Sequence, residues 1–345
     1  MKTDFRKRRG FTLVELMVAT TIMIILIMFV TNIAVSMLRA YDNTVAALTA
    51  NSDARSVLDP LESDLTSAMS FDDSHYWFEV RYDGENDLGN LESHAAPQIM
   101  LFSQTSDRTR RSRTGSSTTE LPGELCAVRY CLVQKSPFGD AANSPENLSY
   151  IVYRAVLNAK DTLEAAVPYV VGASGKSGGD VAKQKPSEFW DSAEQITDPS
   201  DEKKYSPREW SKQIQNFLID GIVDITLVFW YDDFTDGKRK IAVVSNPDLT
   251  SRIRDIYKDY DVTTFRNSIS AGAGKVVFDD NFSGAKSGVL RSVDISVTVL
   301  GSDGKDALLG LQRQSNSGRI SEEKFDAVIL EHGTTFSRSL PLFKK

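Results

Sequence analysis

The sequence predicts an α+β protein in which a long N-terminal helix, first membrane-spanning and then amphipathic, packs on an antiparallel β-sheet head. Three observations carry this. Residues 16–38 contain no charged side chain; residues 47–69 place apolar residues at steps of four and three; and after about residue 72 the pattern changes to alternation. A composition of 41% hydrophobic and 25% charged residues is that of a folded chain rather than a disordered one.

The first element is the apolar run. Its 23 uncharged residues would make a helix of roughly 35 Å, enough to cross the hydrocarbon core of a bilayer. Lys2, Arg6, Lys7, Arg8 and Arg9 precede it against the single Asp4. The positive-inside rule keeps that end in the cytoplasm and sends the rest outward, to the periplasm or the cell exterior. An ordinary secretory signal would be cut after the run, where "AVS" (34–36) is a poor site. Gly10, before the run, is a better one. Glu15 is then the anomaly, because a carboxylate inside a membrane helix costs a few kcal/mol unless it has a partner. The free N–H groups of its own helix start offer one.

The second element continues the helix. "ALTANSDARSVLDPLESDLTSAM" (47–69) sets Ala54, Leu58, Leu61, Leu65 and Ala68 on one stripe. Pro60, with Asp59 as a candidate cap before it, predicts a kink or a restart there. The chain thus divides into a leader (1–10), a transmembrane half-helix (11–38), an amphipathic half-helix (39–71) and a β-rich head (72–345).

Within the head, strands are expected at 76–82, 97–102, 124–133, 148–157, 221–233, 239–245 and 290–300, each rich in β-branched and aromatic residues. Asp236-Gly237 lies between two of them as a hairpin turn. Short helices are expected at 208–219 and 251–260. Two polar stretches, 103–120 and 172–209, read as mobile surface insertions.

The beginning of the chain, "RRGFTLVELMVAT" (8–20), resembles the prepilin signal of type IV pilins and type II secretion pseudopilins. The resemblance implies that a membrane prepilin peptidase cuts after Gly10 and methylates the amino group of Phe11. Glu15, fifth in the mature chain, then pairs with the Phe11 ammonium of a neighbouring subunit and sets assembly register. The implied partners are the inner membrane, the peptidase and other pilin or pseudopilin subunits. Three head phrases, "RSVLDPLESDL" (55–65), the pair "VRYCLV" and "YIVYRAVL", and "FLIDGIVDITLVFWYDD" (217–233), resemble J-type minor pseudopilins and PilW-type minor pilins. The ending "GTTFSRSLPL" (333–342) resembles the prepilin-type proteins of the Verru_Chthon cassette, its C member. Glu15 departs from the K-type tip pseudopilins, which usually lack this acid.

Other chemistry is thin, and neither an enzyme activity, a cofactor nor a small-molecule substrate is expected. Without the leader the chain holds 35 basic and 46 acidic residues, which disfavours nucleic acid as a partner. "GASGKS" (172–177) lacks the first P-loop glycine, whose place holds Val170, and "AGAGKV" (271–276) is weaker still. His75, His94 and His332 lie far apart with no ligand spacing. The acidic loops "DDFTDG" (232–237) and "DDNFSG" (279–284) could hold calcium, but turn-forming Asp and Gly explain them without a metal. Cys126 and Cys131 would stand roughly 16 Å apart on a strand, as free thiols. Trp77, Trp190 and Trp210 are either packing residues or a ligand-binding patch on an adhesive head.

Overall fold

The computed structural model describes residues 12–68, 76–82, 97–104, 110–114, 117–121, 126–135, 148–157, 162, 190, 196–197, 204–205, 212–244, 262–265, 268–272, 275–279, 286–315 and 320–341. It is α+β: one long apolar helix followed by an antiparallel sheet. By contact the chain divides into Met1–Thr49 and Ala50–Lys345.

Helix α1 runs from Leu13 to Thr66. Pro60 sits inside it, so the expected restart does not occur. Proline removes one N–H from the helical ladder. Here Val57, Leu58, Leu61 and Leu65 on either side are buried in the core, and tertiary packing holds the helix where local chemistry would let it break. Asp59, read as a cap, instead binds Arg338.

All seven expected strands form: β1 (Tyr76–Tyr82), β2 (Pro97–Ser103), β5 (Cys126–Lys135), β6 (Ser149–Leu157), β10 (Ile222–Asp233), β11 (Arg239–Val244) and β15 (Lys286–Leu300). The structure adds β9 (Phe217–Asp220), β12 (Val262–Phe265), β13 (Ser268–Gly272), β14 (Lys275–Asp279) and β16 (Gly333–Pro341) to the same sheet. Its order is β12-β11-β10-β15-β14-β13-β1-β2-β5-β6-β9, and β16 pairs with β15. All these pairings are antiparallel except β11 with β12. Helices α2 (Ser302–Gln314) and α3 (Glu322–His332) lie between β15 and β16.

The sheet path returns on itself at Gly221. This residue joins β9 to β10, its N–H donates to the Tyr150 carbonyl at 2.7 Å, and its own carbonyl accepts the Leu300 N–H at 2.9 Å. Its φ of +84° is the left-handed backbone that favours glycine. Inward-facing Phe229 of β10 meets Phe78 of β1 with ring centroids 5.7 Å apart. The core therefore fills from opposite sides of the path, together with Ala54, Val57, Leu61 and Leu65 of α1.

Strands β2, β5 and β6 are buried on both faces, which is why they read as continuous apolar runs rather than clean alternation. Cys126 faces the main core while Cys131, five positions on, faces a separate cluster with Val133, Ile151 and Tyr153. Both are free thiols.

Several expectations change. The 103–120 stretch contains a hairpin of its own, β3 (Arg110–Thr114) with β4 (Ser117–Leu121). Most of 172–209 lies outside the described residues, but Trp190 within it is buried against Met100, Ala127, Ala155 and Leu157. Also within it, β7 (Ile196–Thr197) pairs antiparallel with β8 (Lys204–Tyr205). Of the helix expected at 208–219, the described part is a single 3-10 turn at Ile214–Asn216 followed by β9. The one expected at 251–260 lies outside the described residues. "AGAGKV" falls on the connected strands β13 and β14, not on a strand-to-helix turn.

Candidate functional site: the stem helix and its anchorage

The start of α1 is a closed hydrogen-bond ring. Glu15 donates its N–H to Thr12 Oγ1 at 3.3 Å, while Glu15 Oε2 accepts the Thr12 N–H and the Thr12 hydroxyl, each at 3.0 Å. This is a capping box: Thr-x-x-Glu satisfies two N–H groups that the first helical turn would leave unpaired. Sequence reading found the helix start as a partner for Glu15 but overlooked Thr12. The Thr12-Leu13-Val14-Glu15 spacing ahead of an apolar run was the available signal. Gly10 and Phe11 lie outside the described residues.

From Leu13 to Leu38 the large apolar side chains are exposed, among them Leu13, Met23, Ile24, Met28, Phe29 and Met37. The hydroxyls of Thr20 and Thr21 donate to the Met17 carbonyl and that of Thr31 to the Ile27 carbonyl, at 2.8–2.9 Å. Such back-bonding suits a hydrocarbon surround, where water cannot satisfy a polar group. The helix is long and apolar enough to cross a membrane.

From Ala50 onward the helix has a different environment. Of the stripe that the sequence spacing predicts, Ala54, Leu58, Leu61 and Leu65 are buried and Ala68 is partly buried, and Ala50 and Val57 join them. Asp64, also buried, anchors its far end. Arg154 of β6 donates through Nε to Asp64 Oδ2 and through Nη2 to Oδ1, both at 2.8 Å. The Tyr130 hydroxyl of β5 donates to Asp64 Oδ2 and accepts from Arg154 Nε at 2.9 Å. A bidentate, charge-assisted pair of this kind fixes orientation as well as contributing energy. Burial, followed by the Asp64 charge, pushes the Tyr130 phenol well above its ordinary range, so it stays a donor. Ser103 of β2 adds a hydrogen bond to the Asp64 carbonyl at 2.9 Å. Nearer the surface, Arg338 of β16 binds both Asp59 and Glu62.

Among the described residues, further acids serve turns and strands. In "DDFTDG", Asp233 and Asp236 hold Lys240 at 2.7 and 3.1 Å, and their Oδ1 atoms accept the N–H groups of Thr235 and Lys238. The ammonium of Lys240, then the Thr235 N–H, hold Asp233 down to about 2. Asp224, at the other end of the same strand, is pushed up to about 6 by burial. The Thr226 hydroxyl and Ile225 N–H oppose the shift and the charge of Asp326 adds to it. No cluster of three or more metal-ligating side chains occurs among the described residues. His75, His94, Trp77's side chain, Trp210, "GASGKS" and most of "DDNFSG" lie outside the described residues. His332 ends α3, with its Nε2 3.9 Å from the carboxylate of the adjacent Glu331.

A family model described as the prokaryotic N-terminal methylation motif matches residues 5–31. The chain carries a type IV pilin-like prepilin signal. The match spans the second half of the basic leader, Gly10, Phe11, Glu15 and about the first two thirds of the apolar run, and ends well before the head. Neither a curated protein nor a solved structure matches the chain.

Proposed function

We propose that this protein is a minor pilin or pseudopilin, a non-catalytic subunit that enters a type IV pilus-like or type II secretion filament through its N-terminal helix. The single observation carrying this is that the matched prepilin signal leads directly into an apolar helix segment whose large side chains are all exposed. Such a surface needs lipid before assembly and neighbouring stems afterward. A membrane-bound prepilin peptidase cuts after Gly10, and the chain then spans the inner membrane once with its head outside. Glu15 is the assembly residue, pairing with the Phe11 ammonium of a neighbour. The capping box, which holds the Glu15 carboxylate at the helix start, supports this reading.

A head of this size favours a tip or initiation position, because a large head is harder to repeat along a packed filament. The J-type, PilW-type and Verru_Chthon readings rest on the quoted head phrases. An adhesive head draws no support from Trp190, which is buried. A membrane-anchored enzyme would need a convergent set of catalytic groups, and the paired acids of "DDFTDG" are instead held by Lys240 and by their own turn.

Glu15→Gln tests the assembly role, since it retains shape and hydrogen bonding while removing charge. Membrane insertion and leader removal should persist, and crosslinking to neighbouring subunits in intact cells should be lost. Crosslinking at the unaltered level would remove charge pairing from the account.

A further inference from the structure

The two ends of the sheet path, β9 and β12, are four residues each. β16, which among the described residues pairs with β15 alone, has nine. Folded proteins blunt a long edge with a bulge, lysine, proline or an inward charge. β16 keeps an unbroken register over its pairing with β15, holds no lysine, and has proline only at its last position. Its one inward charge, Arg338, is neutralised by Asp59 and Glu62.

One hydrogen bond shows which backbone groups face the open side. The Leu300 N–H donates away from β16, to the Gly221 carbonyl. Along an antiparallel strand successive residues turn their N–H and C=O to opposite sides. Val299, Val297, Ile295 and Val293 therefore bond their partners Thr334, Phe336, Arg338 and Leu340 in β16. Thr335, Ser337 and Ser339 turn theirs outward. Pro341 falls in the same outward set, where the ladder does not need its missing N–H.

The outward groups repeat about every 6.8 Å, a spacing that another extended backbone matches. The side chains around them say what that backbone carries. On the solvent face, hydroxyls already pair in rows, Thr298 with Thr335 and Ser296 with Ser337, which small polar residues would continue. On the other face, half-buried Phe336 packs at the rim of the core. There Asp59 and Glu62, 58% and 41% exposed, outnumber the single Arg338. An apolar residue and a lysine or arginine fit that face. We propose that β16 takes up an extended segment of a neighbouring subunit's head as an added strand, small and polar on one face, apolar and basic on the other. This rests on the filament reading, because one added strand is a small interface and needs heads held close together by their stems.

Residue-resolved amide hydrogen exchange tests this on the full chain, in detergent and in filaments sheared from cells. Thr334, Phe336, Arg338 and Leu340 should be protected in both. Thr335, Ser337 and Ser339 should exchange freely in detergent and slow by about 100-fold or more in filaments. Ser337→Pro removes the central outward N–H and spares the pairing with β15, so it should keep the unfolding midpoint yet free Thr335 and Ser339 in filaments. Free exchange of the three outward amides in filaments that do contain the chain overturns this inference and leaves the filament reading standing. A chain that never enters filaments removes both. Protection already present in detergent also overturns it: the cover is then the chain's own if independent of concentration, and a second copy if it rises with concentration.

Discussion

Residues 13–38 and 50–65 belong to one helix but satisfy different solvents. In the first stretch every large apolar side chain is exposed, and threonine hydroxyls turn back on the helix's own carbonyls. In the second, a narrow apolar stripe is buried and a buried aspartate is tied to two strands of the sheet. Helical propensity does not separate them. What separates them is where each side chain can be buried: the first stretch has nothing within its own half of the chain, and the second has the core of the head. The first is therefore the part that must find lipid or another chain, and the second is the part that carries the head.

The comparison is broken most severely at Asp64. Arg154→Met should cost about 3–5 kcal/mol in unfolding free energy, because it strands a buried carboxylate. Pairing it with Asp64→Leu should restore much of that loss. An Arg154→Met protein as stable as the parent would mean that the end of α1 is not held by charge. Next comes a pair of matched truncations. Leu61→Ala should lose about 2–5 kcal/mol from the cavity it leaves, whereas Leu26→Ala, in the exposed stretch, should leave the unfolding of the head unchanged. Equal losses would collapse the distinction between the two stretches.

A smaller effect comes from pH. The Asp224 carboxyl titrates near 6 in the folded protein and near 3.9 unfolded. Between about pH 4 and 6 the folded state thus retains a proton that the unfolded state has released, and stability falls as pH rises through that window. The loss should total roughly 2–3 kcal/mol, and a difference plot against Asp224→Asn isolates it. A flat difference would place Asp224 in a more polar setting than its burial indicates. Smallest of all, Arg338→Ala removes a half-exposed pair with Asp59 and Glu62 and should cost about 1 kcal/mol or less.

The sequence revealed the stem and the seven strongest strands because lipid contact and a two-sided core both demand runs of apolar residues that composition displays directly. β16 is illegible as a strand, since the only large apolar side chains that "GTTFSRSLP" turns inward are Phe336 and Leu340, and four of its other residues carry hydroxyls. Those hydroxyls instead pair across the strands, Thr335 with Thr298 and Ser337 with Ser296, which is a tertiary fact. The Asp64–Tyr130–Arg154 cluster unites residues 66 and 90 positions apart, a separation no local pattern can signal. Pro60 shows the opposite case. Its local meaning is a kink or a restart, and the restart does not occur where Leu58, Leu61 and Leu65 pack into the core. Thr12 is legible locally, since its spacing to Glu15 ahead of an apolar run makes that acid the third residue of a capped helix as well as a charge in lipid.

The central claim is that the exposed stretch belongs to a processed, filament-forming stem. Intact-mass analysis of the full-length protein, recovered from membranes of cells that contain a prepilin peptidase, tests it most directly. The account predicts a chain that has lost residues 1–10 and begins at Phe11 with one added methyl group. A Gly10→Val chain from the same cells should keep its leader. A mature protein that retains residues 1–10, or one cut near Ser36, would contradict the account.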